Sequence, residues 1–218
     1  MSGFLTPYQF RFCPARYIHS DHLPDRWAGA MALMPDWRYR TRNNALLLDK
    51  LALTTEYLHP GGLGGLALYD NYHFRRTTVW LGAILHGRSI RNSMSAPVLR
   101  QVHTAIGEQG HRFCLSVLDL LIGEWPDEWQ YPLPDGELSD YFARCGLNFW
   151  CSALQDAEPG FIQRIMLRLA KGSGGIKSSG GISGGIETCR VSHHAALAKV
   201  LCQKIVKKVS PECCHLLK

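Results

Sequence analysis

A chain of 218 residues, 46% hydrophobic and 19% charged, has enough apolar material for a packed core in one domain or two small ones. Its six Trp, eight Tyr and eight Phe are spread along the whole length, which excludes a disordered chain, because so much aromatic surface has to be buried in the protein or under a partner. The net charge of +6 is a sum of blocks: residues 1–70 carry +1, 71–112 carry +5, 113–160 carry −8 and 161–218 carry +8.

From the start, Pro7, Pro14, Pro24 and Pro35 break the first forty residues into short pieces, with a short helix expected over 25–33. Asn43-Asn44 reads as a cap before a brief helix over 45–51. His59-Pro60-Gly61-Gly62-Leu63-Gly64-Gly65 reads as a loop. Helical spacing then strengthens. Val79, Trp80, Ala83, Ile84 and Ile90 place a helix over 77–93, and Val98, Leu99, Val102, Ile106, Phe113, Val117, Leu118 and Leu121 continue mostly in steps of three and four. Gly107 and Gly110 are the expected split in that second run. Three prolines forbid regular structure between Gly123 and Pro134. A helix over 138–154 follows, then another over 161–170. The tract 171–187 holds seven Gly and four Ser, with Gly-Gly-Ile written three times, and reads as a flexible loop. A last helix over 194–209 is apolar at Leu197, Val200, Leu201, Ile205 and Val209, basic around them, and stopped by Pro211. No alternating apolar pattern suggests a sheet. The expected fold is all-α: one irregular helical domain over 1–218 with Pro/Gly-rich loops.

The longest apolar run, Phe113–Ile122, is broken by Ser116 and Asp119 and falls short of the ~20 residues that span a bilayer. Met1–Pro7 lacks the basic start and apolar stretch of a signal peptide, and the last residues do not fit a prenylation box. A cytoplasmic protein is expected, with its eight Cys reduced and mostly buried as small hydrophobes.

Candidate chemistry is sparse. Gly62-Leu63-Gly64-Gly65-Leu66-Ala67 has the spacing of a dinucleotide-binding turn but no convincing strand before it. Cys189, His193, His194, Cys202, Cys213, Cys214 and His215 crowd the last thirty residues and raise the alternative of a small zinc- or thiol-dependent enzyme. They lack the paired C-x₂-C clusters from which one short loop supplies two zinc ligands. Arg38-Tyr39-Arg40-Thr41-Arg42 and the basic tail could meet a polyanion, but the −8 block opposes one. No catalytic residue, cofactor or metal is therefore expected. What remains is a binding protein. Its candidate docking residues are Trp125, Trp129 and Tyr131 in the Pro-rich loop, and Lys199, Lys204, Lys207 and Lys208 on the last helix. Two alternatives stand beside that: the loop aromatics plug the core, and the charge blocks neutralise each other inside the fold.

An ordered set of short segments resembles the SctK family of type III secretion systems, in particular its Ysc-type branch. It runs from Phe10-Arg11-Phe12-Cys13-Pro14-Ala15 through Leu85-His86-Gly87, Leu120-Leu121-Ile122-Gly123, Trp125-Pro126, Trp129-Gln130 and Pro132-Leu133-Pro134. It continues with Gly146-Leu147, Phe149-Trp150 and Leu201-Cys202-Gln203-Lys204-Ile205-Val206-Lys207, and the Gly/Ser tract is the one departure. The resemblance implies a non-catalytic cytoplasmic adaptor of the sorting platform, recruited to the inner membrane. It would link the cytoplasmic domain of an SctD-like ring protein to an SctQ-like pod protein, and through it SctL and the secretion ATPase.

Overall fold

The computed structural model describes residues 3–24, 27, 29, 33–171 and 194–218, and every regular element among them is a helix. The all-α expectation holds. The helix expected over 25–33 falls largely outside the described residues, as does the 171–187 tract beyond Lys171. The α-helices are α1 (Pro7–Phe12), α2 (Thr41–Lys50), α3 (Asn71–Leu85), α4 (Gly87–Asn92), α5 (Ala96–Ile122), α6 (Leu138–Ala153), α7 (Pro159–Met166) and α8 (Ala195–Val209), joined by short 3-10 turns. The chain divides into two compact units. One comprises 1–74, 156–172 and 216–218; the other comprises 75–155 and 173–215.

The first unit is built largely from short and irregular pieces. Its aliphatic centre gathers Ala15, Ile18, Leu23, Leu47, Leu53 and Leu167, with Trp27 and Trp37 packed against them. Beside it Phe161 meets Phe10, Tyr57 and His59 ring to ring. Loops and 3-10 turns leave backbone carbonyls without partners, and burying such groups is costly. Arginine side chains fill that need here. Arg38 Nη1 donates to Ala15 O (2.6 Å) and Ile18 O (3.1 Å), and Arg11 Nη2 donates to Tyr57 O (2.6 Å). The buried Arg164 donates to Gly160 O (3.2 Å) and Arg11 O (3.1 Å). Arg168, also buried, donates to Ala67 O (3.1 Å), Tyr69 O (2.7 Å) and Asn71 Oδ1 (3.1 Å), with its guanidinium 4.0 Å from the Phe74 ring centre. Five N–H donors in a planar fork suit this task better than an ammonium.

Two local expectations change. Asn44 does not cap α2, whose first residue is Thr41. It lies buried within the helix, its Oδ1 accepting from Ala15 N (2.9 Å) and its Nδ2 donating to Arg40 O (3.0 Å). The glycine run after Pro60 is no open loop either, because Gly62–Leu68 winds into a 3-10 helix buried from Leu63 to Leu68. No strand precedes it, so a dinucleotide turn has no frame there.

The second unit is a helical assembly in which α6 and α8 pack together and α5 touches both. α3 and α6 approach at backbone distance. A Cβ on Gly82 would lie 2.0 Å from Phe142 O, and one on Gly146 would lie 2.0 Å from Thr78 O. The single helix expected over 77–93 is two, because His86 leaves helical geometry (φ −103°, ψ 11°) between α3 and α4. The split expected in the next run falls at Gly107, whose φ of 69° and ψ of 174° bend α5. Glu137 caps α6, its carboxylate accepting from the N–H groups of Ser139 and Asp140.

Candidate docking surface

The Pro-rich loop between α5 and α6 is pinned to its own unit. Tyr131 N donates to Leu85 O (2.9 Å), Ser89 Oγ donates to Tyr131 O (2.9 Å), and Gln130 Oε1 accepts from Arg88 N (3.1 Å). His86 Nδ1 stands 2.9 Å from Pro132 O, which can only accept, so the ring carries its proton on Nδ1. Nε2 is then a buried lone pair without a partner, and burial lowers the imidazole pKa to about 4.

This anchoring turns the loop's tryptophans inward. Trp129 is 0% exposed, edge-on to Phe149 (4.9 Å) and His194 (5.8 Å). Trp125 is 4% exposed and donates its indole N–H to Leu118 O at 2.9 Å. Both are therefore corrected from docking residues to core residues: their apolar area and, for Trp125, its polar handle are already used inside the unit. Tyr131 is half-buried against His86. The face the loop does expose is acidic, with Glu124, Asp127, Glu128, Asp135 and Glu137.

The lysines of α8 are all exposed. Lys204 bends back to donate to Leu121 O at 2.6 Å, occupying a carbonyl in the last turn of α5. Lys199, Lys207 and Lys208 form no ion pair with any described residue. The negative block finds its partners elsewhere. Asp140 pairs with Arg75 (2.7 Å), Asp119 with Arg91 (2.8 Å), Asp127 with Arg88 (3.9 Å), and Glu128 faces His194 (3.6 Å). Three of these four partners belong to the +5 segment, so the tail lysines are not consumed in neutralising the acids.

Cys202 and Cys213 are buried, His215 Nδ1 faces Glu212 O, and Cys189 and His193 lie outside the described residues. Burial raises the Cys202 thiol well above its ordinary pKa and pushes Cys114 and Cys151 up to about 12, which holds them protonated, the unreactive form.

The family description "YOP proteins translocation protein K (YscK)" matches residues 4–218. The chain belongs to the YscK family. It is 36% identical over 219 residues to Yop proteins translocation protein K of Yersinia pseudotuberculosis and, equally, to that of Yersinia enterocolitica, covering 100% of both chains in each case. It is also similar to a solved structure, the cytoplasmic domain of the type III secretion sorting platform protein PscK from P. aeruginosa. There the identity is 43%, with a TM-score of 0.74 over 98% of this chain and 99% of the other. Among the described residues of this YscK-family chain, no helix is long and apolar enough to cross a membrane.

Proposed function

We propose that this YscK-family protein is a non-catalytic adaptor of a type III secretion sorting platform. It links the cytoplasmic domain of an SctD-like ring protein to an SctQ-like pod protein, works in the cytoplasm at the face of the inner membrane, and reaches SctL and the ATPase indirectly. The observation that carries this reading is the end-to-end likeness to a sorting platform protein, with both chains almost fully covered. The surface fits a bridging role. The exposed lysines of α8 and the acidic outer face of the 123–137 loop are two surfaces of opposite sign, and like-charge repulsion as well as attraction can keep two partners apart. Tyr131, half-buried, lies beside the acidic one.

Pairwise pull-downs of the full chain with the SctD-like cytoplasmic domain and the SctQ-like protein of the same secretion system test the reading. Capture of each alone, and of both in one complex, is expected. Failure to retain either partner refutes the adaptor.

A further inference from the structure

We infer that α8 and the last turns of α5 together form an amphipathic docking face for an acidic, amphipathic segment of a protein partner. This rests on the adaptor reading and adds the chemistry of one partner.

Two exposed apolar side chains flank the contact that ties the helices together. Leu120, 76% exposed, immediately precedes the Leu121 carbonyl that receives Lys204. Val200, 40% exposed, lies one turn before Lys204 on the same outer stripe of α8. Lys199, Lys207 and Lys208 surround that stripe without counterions among the described residues, while Leu201, Cys202, Ile205, Val206 and Val209 are buried on the opposite side. A small apolar centre within a ring of uncompensated cations matches an acidic segment that presents one or two apolar residues. Burial of the centre supplies affinity, and the charges supply approach and orientation. From Lys199 to Lys208 the helix rises about 14 Å, the length of roughly nine residues of a partner helix laid alongside.

A membrane surface fits less well. The apolar side of α8 is already buried, so little is left to enter the acyl boundary.

Binding of the full chain to the SctD-like cytoplasmic domain and to the SctQ-like protein, by biolayer interferometry at two salt concentrations, tests this. One variant carries Lys199→Glu, Lys207→Glu and Lys208→Glu; another carries Leu120→Ser and Val200→Ser. Lys204 is kept, since its carbonyl contact is structural. Both variants should keep the wild-type Tm and weaken the same single partner at least tenfold. The lysine effect should shrink at high salt and the apolar effect should persist. Wild-type affinity of both variants for both partners overturns the docking face and leaves the adaptor standing, whereas no binding by the wild-type chain overturns the adaptor itself. A Tm lowered by the lysine reversals shows that the cations are used within the fold, and that too overturns the proposal. Co-sedimentation with phosphatidylglycerol vesicles, lost in the lysine variant while both proteins still bind, replaces the protein partner with a membrane.

Discussion

Arg168 offers the sharpest test of how the irregular unit is held together. Replacing it with Met removes three good hydrogen bonds, to Ala67 O, Tyr69 O and Asn71 Oδ1, and a cation 4.0 Å from the Phe74 ring centre. Charge-assisted bonds of this kind contribute about 1.5–3 kcal/mol each, and the ring contact roughly 2 kcal/mol. Against this stands the cost of burying the charge. Burial pulls the guanidinium pKa down to about 9 from 12.5, roughly 5 kcal/mol at ~1.36 kcal/mol per unit, and Met relieves that cost. The difference leaves a net loss of about 2–6 kcal/mol, so Tm should fall by ~8–16 °C at the middle of that range. Arg168→Lys is the informative companion. Lysine keeps the buried charge, yet its single nitrogen cannot span carbonyls on both sides of the fork, so it should be no more stable than Met. Urea denaturation of both variants measures this. A Lys variant within about 0.5 kcal/mol of the wild type would refute the fork argument, and a Met variant that stable would refute the stitching of carbonyls altogether.

His86 has its pKa lowered from 6.5 to about 4 in the folded protein, so between those values the unfolded chain binds more protons and stability is lost as pH falls. That loss should approach 3 kcal/mol by pH 4 and be missing from the pH profile of His86→Gln, measured by denaturation at pH 7, 5 and 4. Gly82→Ala forces a Cβ to within 2.0 Å of Phe142 O between two helices and should cost about 2–4 kcal/mol. Gly107→Ala meets nothing within 4 Å, so its cost, about 1–3 kcal/mol, is backbone strain alone, and a Gly82→Ala variant as stable as the wild type would contradict the packing described.

Helix positions were legible along most of the chain because spacing and proline breaks are local. α6 and α8 start and stop within a residue or so of where their apolar stripes and caps put them. The misreadings sit where a distant segment decides the outcome. Asn44 reads as a cap because Asn caps helices, but the amide N–H of Ala15, twenty-nine residues away, draws it into the interior. The glycines after Pro60 read as a loop because nothing local shows that the run will be buried. No local pattern marks Arg164 and Arg168 as buried, since arginines near the end of a helix usually face solvent.

The amino-acid sequence by itself determined that the chain is helical, that it carries separate blocks of charge, and that it resembles a sorting-platform family. Each of these depends on composition, on periodicity or on an ordered set of short segments. Only the tertiary structure decided that Trp125 and Trp129 point inward, since an aromatic in a Pro-rich loop has the same sequence signature whether it fills its own core or a partner's pocket. Tertiary structure likewise decided which charges meet. The acids of the −8 block pair mainly with the arginines at 75–91, which the packing of the second unit brings alongside them, and Lys199, Lys207 and Lys208 are left facing solvent. Ion pairing depends on separations of a few ångströms, which no count of charge along a chain contains.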